Sequence, residues 1–184
     1  MKVFLTTYQD NLPFALETKR ILKETWNIDS YFIMGNKVDN DKYTKNRVVH
    51  WNWIEKILPI CLFLGEDCII LEDDVRLTKS LDDLPFDEYD IIWAGFRRGR
   101  LEQKKQRITG IQAIYIKKEV LQDLYDNFCN YKNKIHVDHA MSKFCVEFMD
   151  KYKIYQPKLS YSYEEEHDSL ISFDQWKQYT KPPK

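Results

Sequence analysis

The sequence predicts an α/β fold: a single domain with a mostly parallel central sheet flanked by helices. Three observations predict it. Strand, helix and strand patterns follow one another between Lys2 and Gly35, the spacing of a β-α-β unit. Cys68-Ile69-Ile70-Leu71 is an unbroken apolar run of the kind found in a strand buried on both faces. Tyr89-Asp90-Ile91-Ile92-Trp93-Ala94-Gly95 reads as a second buried strand. A chain of 184 residues buries a real core without staples, which fits one domain over 1–184.

Lys2 to Thr7 reads as the first strand. Asn11-Leu12-Pro13 then opens a helix, with proline in the first turn where its missing N–H is harmless, and Phe14, Leu16, Ile21 and Leu22 carry it to about Glu24. Tyr31 to Gly35 is the second strand, and Asn36 to Asn46 a polar loop. From Val48 the apolar and aromatic residues fit a buried helix, which Pro59 kinks or ends near Leu58; His50, early in it, reads as structural. Gly65-Glu66-Asp67 is a turn, and the apolar run from Cys68 ends in Glu72-Asp73-Asp74. Leu81 to Glu88 is an acidic loop before the strand at Tyr89. Arg97, Arg98, Arg100, Lys104, Lys105 and Arg107 form a basic run that is either a solvated loop or a cover for an anionic ligand. Ile108 to Ile116 is a strand, and Lys117 to Cys129 a helix. Asp138 is placed to cap a further helix running to about Met149. Ile154 to Pro157 is a short terminal strand, followed by a tail with Glu164 to Ile171.

Composition excludes several classes. With a net charge of -1, no global field drives the chain onto nucleic acid or membranes. No apolar segment approaches the roughly 18 residues of a membrane span, and no signal peptide is read at the N-terminus. Cys61, Cys68, Cys129 and Cys145 show no C-x-x-C pairing and sit in apolar or helical context. Buried free thiols of a reducing compartment are expected rather than zinc, hence a cytoplasmic protein. Aromatic residues make up 15% of the chain, enough to build stacking platforms but equally suited to filling a core.

The chemistry gathers at Glu72-Asp73-Asp74. Three consecutive carboxylates repel one another and are desolvated at a loss unless a positive charge sits nearby. A divalent cation with hard oxygen ligands, at the C-terminal end of a central strand, is the simplest answer. Neither a G-x-G-x-x-G pattern nor a Walker A pattern is present, so a nucleotide would be held by side chains and a metal. By analogy with nucleotide-binding α/β folds, Thr6, Thr7 and Tyr8 at the end of the first strand would contact base and ribose, and Arg47 the diphosphate.

Ile69-Ile70-Leu71-Glu72-Asp73-Asp74-Val75 resembles the GT-A glycosyltransferases, and within them the family 25 type that includes lipopolysaccharide glycosyltransferases. Glu-Asp-Asp-Val is that family's form of the D-x-D metal motif. The order of later motifs is similar too, in Asp90 to Trp93, Thr109 to Ile116, Val137 to Met141 and His167 to Ile171. The family's glycine and cysteine segment is represented here only by Asn46-Arg47-Val48-Val49-His50, and the chain is shorter than typical members.

The resemblance implies a GT-A-like (Rossmann-like) domain, with a nucleotide-sugar-binding half over 1–75 and an acceptor half with its tail over 76–184. It implies a metal-dependent transferase that moves a sugar from a nucleotide-sugar, a UDP-sugar first among them, to a hydroxyl of a glycan or other acceptor, with inversion. Asp74 would bind Mn²⁺ or Mg²⁺, Glu72 would reach the ribose or a metal-bound water, and Asp73 would orient the loop on the donor side. His167 resembles the C-terminal histidine by which many such enzymes complete the metal site. Asp138, flanked by His136 and His139, is the candidate general base, with helix capping as the competing role. A metal-dependent nuclease or phosphodiesterase is an alternative, but no lysine adjoins the acids and nucleic acid is not the expected partner at this net charge. A non-catalytic carbohydrate-binding domain is the other.

Overall fold

A computed structural model of the chain describes residues 1–35, 51–97, 110–131 and 135–164. The expectations placed on the loop after Gly35, on Arg47 and His50, on the basic run beyond Arg97 and on His167 lie outside the described residues.

The elements in chain order are β1 (Lys2–Thr7), α1 (Leu12–Trp26), β2 (Tyr31–Met34), a π-helical stretch (Trp53–Ile57) leading into α2 (Leu58–Leu64), β3 (Cys68–Glu72) and β4 (Val75–Leu77). They continue with β5 (Ile91–Gly95), β6 (Ala113–Ile116), α3 (Leu121–Asn130), α4 (Val137–Glu147), β7 (Ile154–Tyr155) and β8 (Ser162–Glu164). Among the described residues six strands form one sheet in the order β2-β1-β3-β6-β5-β7, and β4 pairs with β8 in a separate ribbon. Within the large sheet β1 is parallel to β2 and β3, and β5 to β7, while β6 is antiparallel to both its neighbours. Only β6 is therefore reversed, and the expected mostly parallel α/β sheet is what the chain forms.

Apolar runs become central strands because successive side chains point to opposite faces, and both faces here are covered. On one face Phe4, Ile70, Trp93 and Ile114 pack with Ile54, Leu58, Phe128 and Phe144 from the π-helical stretch, α2, α3 and α4. On the other, Leu5, Leu71, Ile92 and Tyr115 pack with Leu22 of α1 and with Leu81 and Leu84. Among the described residues no helix is long and apolar enough to cross a membrane.

Several expectations need correction. Pro59 neither kinks nor ends its helix but falls in the first turn of α2, after the Leu58 amide has bonded back to the Trp53 carbonyl. That wider turn accommodates a residue with no N–H to give. The strand expected from Ile108 begins only at Ala113, because Gly110 takes φ +80° and breaks the extended run. Asp138 is not the helix cap: His136 holds that place and Asp138 lies inside the first turn of α4. The strand at Ile154 is not the last, since β8 follows in what reads as tail. Cys129 is exposed rather than buried, while Cys61, Cys68 and Cys145 are buried free thiols.

Candidate active site

Because β6 is reversed, its start lies on the same edge of the sheet as the ends of β1, β3 and β5. Thr6 stands opposite Glu72 in the β1–β3 register. The Glu72 amide donates to the Gln112 carbonyl at 3.1 Å, and the Gln112 amide donates to the Gly95 carbonyl at 3.1 Å. Backbone from four strand ends is thus joined into one rim, and the acidic turn projects from its middle.

The turn is held by buried polar contacts. Thr7 Oγ1 donates to Asp73 Oδ2 at 2.7 Å, and the Thr7 side chain is only 1% exposed. Thr18 Oγ1, from α1, donates to the Asp73 carbonyl oxygen. Arg76 Nη1 in turn donates to Thr18 Oγ1 and, at 3.0 Å, to the Val75 carbonyl. Asp73, Asp74 and Arg76 are all buried, and Glu72 is half-buried. A guanidinium built into the chain therefore sits two residues beyond the acids, so part of the positive charge they call for is internal. The signal was in the sequence as Asp74-Val75-Arg76. Replacing Arg76 by Met is expected to lower stability by about 2–3 kcal/mol, since buried acceptors lose a charged donor. In a thermal melt that is a fall of roughly 5–10 °C for a domain of this size.

Tyr8 follows at the end of β1. Its ring lies where a Cβ on Gly35 would be, 2.7 Å from the ring edge, so only glycine leaves room for it. Asn52 Nδ2 donates to the Tyr8 hydroxyl at 3.2 Å, which leaves the phenolic proton available to a ligand. Burial pushes the Tyr8 phenol up from 10.0 to about 12, opposed by the Asn52 hydrogen bond and reinforced by the nearby Asp73 and Glu72 charges. The sign follows from linkage: a raised pKa in the folded chain is stability that is complete below pH 10.0 and lost as pH rises through about 12. Between those limits Tyr8 contributes a loss of about 2–3 kcal/mol. Denaturant midpoints measured from pH 9.5 to 12 are expected to fall less steeply for Tyr8→Phe than for the parent chain.

At the β5 end the rim is closed by the segment leading into β8. The Tyr161 amide donates to the Ala94 carbonyl at 2.9 Å and the Phe96 amide to Ser160 Oγ at 3.1 Å. Ser162 Oγ donates to Gln112 Oε1 at 3.0 Å. A Cβ on Gly95 would sit 2.7 Å from the Ala113 nitrogen and press on Ser162 Oγ. β8 then runs against β4 with Glu164 opposite Val75, so the described chain ends beside the acidic turn.

Asp138 reaches the same edge from α4. Its Oδ1 accepts from the His139 amide at 2.9 Å and its Oδ2 from the Gly110 amide at 3.4 Å. Gly110 is two residues before Gln112 of the rim. The structure thus brings Thr6, Thr7, Tyr8, Glu72, Asp73, Asp74 and Asp138 to one edge of the sheet, while Arg47 and His167 lie outside the described residues. Asn52, Gln112, Gly95, Thr18 and Arg76 complete the rim and were not singled out from sequence; only Arg76, by its place after the acids, carried a signal.

No family model matches the sequence, and no characterised relative matches it. Among solved structures, the chain is similar to a glycosyltransferase involved in the glycosylation of the major capsid of PBCV-1. The TM-score is 0.54 at 9% sequence identity, over 85% of this chain and 81% of that one. It is also similar to the apo-form glycosyltransferase GlyE of Streptococcus pneumoniae TIGR4, with a TM-score of 0.48 and 11% identity, over 84% of this chain and 44% of that one. At 9% identity the first likeness is one of fold, and the fold is one that a glycosyltransferase uses.

Proposed function

We propose that the chain is a metal-dependent glycosyltransferase of the family 25 type. It would move a sugar from a nucleotide-sugar donor, a UDP-sugar first among candidates, to a hydroxyl of a glycan or other acceptor, with inversion at the anomeric carbon. The observation that carries this reading is the acidic turn at the C-terminal end of β3, the edge at which open α/β sheets hold ligands, in a glycosyltransferase-like fold. Its free thiols suit a cytoplasmic location.

The residues fit a hard divalent ion. The donors of the turn are carboxylate oxygens, and Asp73 is already engaged by Thr7. Among the described residues no group of three His, Cys, Asp or Glu converges as a self-contained cage. Mn²⁺ or Mg²⁺ suits such a site, because these ions accept one or two carboxylates and take the remainder from substrate phosphates and water. Asp74 would be the protein ligand, and His167 a second. When bound, such an ion offsets the charge that grows on the diphosphate as the glycosidic bond breaks.

The chain supplies the rest. Thr6, Thr7, Tyr8 and Glu72 would meet base and ribose at the rim, Thr7 with its hydroxyl tied to Asp73, and Arg47 the diphosphate. Asp73, tied to Thr7, would keep the turn in place on the donor side. Asp138 would take the proton from the acceptor hydroxyl as its oxygen attacks the anomeric carbon. The test is release of nucleoside diphosphate from UDP-, GDP-, CDP- and dTDP-sugars with Mn²⁺ or with EDTA. Release from one donor only in the presence of metal supports the reading. Release from none, with cleavage of labelled DNA in Mg²⁺, would replace it by a nuclease.

A further inference from the structure

We propose that Trp93 is a positioning residue for Asp138, acting through Gly110; this rests on reading Asp138 as the base. Trp93 lies in β5 with 0% of its surface exposed, in the core formed with α2, α3 and α4. A phenylalanine or leucine would fill that core as well. What tryptophan adds is one N–H donor, and a buried indole N–H needs an acceptor. Nε1 donates to the Gly110 carbonyl oxygen at 3.0 Å.

Gly110 faces the other way through its amide, which donates to Asp138 Oδ2 at 3.4 Å. Its φ of +80° sets the angle between the two groups, a conformation that L side chains rarely adopt, and a Cβ there would meet Arg97 Cγ at 3.0 Å. The two donors to Asp138 are not equivalent. The His139 amide belongs to α4 and moves with it, so it fixes the carboxylate only within its own helix. The Gly110 amide is anchored by Trp93 to β5, so it fixes the carboxylate relative to the sheet edge. A base must be held against the donor, and the donor against that edge, so the contact through Gly110 sets the geometry of attack. Among the described residues, His136 and His139 lie on α4 with ring centroids 5.3 Å apart, and Arg97 lies beside Gly110.

Trp93→Phe keeps an aromatic ring and removes the donor. It is expected to lower kcat about tenfold or more with the donor KM unchanged, the pattern of a misplaced base. A lower melting temperature with kcat intact would make Trp93 a core residue only and overturn the proposal. A second measurement needs neither substrate nor a stable Trp93 variant. In ¹H–¹⁵N spectra the Gly110 amide proton, as donor to a carboxylate, is expected to move upfield on Asp138→Asn. An unmoved Gly110 resonance in that variant overturns the proposal. A resonance that moves, in a parent chain inactive on every donor, counts instead against Asp138 as base.

Discussion

Asp74→Asn is expected to reduce metal-dependent release of nucleoside diphosphate by about a thousandfold, equivalent to roughly 4 kcal/mol of transition-state stabilisation. Asparagine keeps the shape of the buried side chain, so the melting temperature without ligand should stay within a few degrees of the parent. The loss should therefore lie in the response to metal. The neighbouring position separates two roles that a sequence cannot. Asp73 accepts from Thr7 Oγ1 through Oδ2 and from Thr18 Oγ1 through its backbone carbonyl, so Asp73→Ala leaves the Thr18 contact in place, removes the acceptor of the buried Thr7 hydroxyl and should loosen the turn. Its main effect should be on stability, at about 1–3 kcal/mol. Activity lost at Asp74 with the fold intact, and fold weakened at Asp73, is the expected pair of results.

Asp138→Asn is the second large effect. Asparagine keeps one acceptor oxygen for the His139 amide within the helix and loses only the longer contact to the Gly110 amide, so α4 should keep its place. What it cannot do is take a proton. A general base contributes about 10²–10⁴ in rate, and kcat for transfer to the acceptor should fall within that range. Donor binding should persist, because the rim that faces the donor is built from β1, β3, β5 and β6 rather than from α4. Calorimetric titration of the variant with donor and Mn²⁺ checks this directly. A loss of binding equal to the loss of rate would place Asp138 in donor recognition instead of proton transfer.

Much of the fold was legible because its central strands are apolar runs with both faces buried. Cys68 to Leu71 and Ile91 to Ala94 announce themselves by composition alone, and Pro13 marks the first turn of α1. The β4–β8 ribbon was not legible, since Val75-Arg76-Leu77 is short and carries a charge, and Ser162 to Glu164 is polar. Strands of three residues acquire their pairing from tertiary contacts, not from local pattern. The site was half legible. Three adjacent acids pointed to a cation, but they look alike in sequence. The reach of Thr7 and Thr18 marks Asp73 as the residue that ties the turn, and both come from elements far away along the chain. The internal guanidinium of Arg76 likewise revises the electrostatic argument without removing it, because one guanidinium follows three adjacent acids. The link from Trp93 to Asp138 spans β5, Gly110 and α4, and no spacing rule predicts it.

In the proposed function, the edge formed by β1 and β3 would bind a nucleotide-sugar through a metal. Thermal melts of the parent chain and Asp74→Asn, with UDP-, GDP-, CDP- and dTDP-sugars and with Mn²⁺ present or chelated, test it most directly. Ligand at a hundredfold over its Kd adds about 2.7 kcal/mol to folding, a shift of several degrees. That shift is expected for one nucleotide, with Mn²⁺ only, in the parent chain and not in Asp74→Asn. A shift that survives chelation or persists in Asp74→Asn would contradict it.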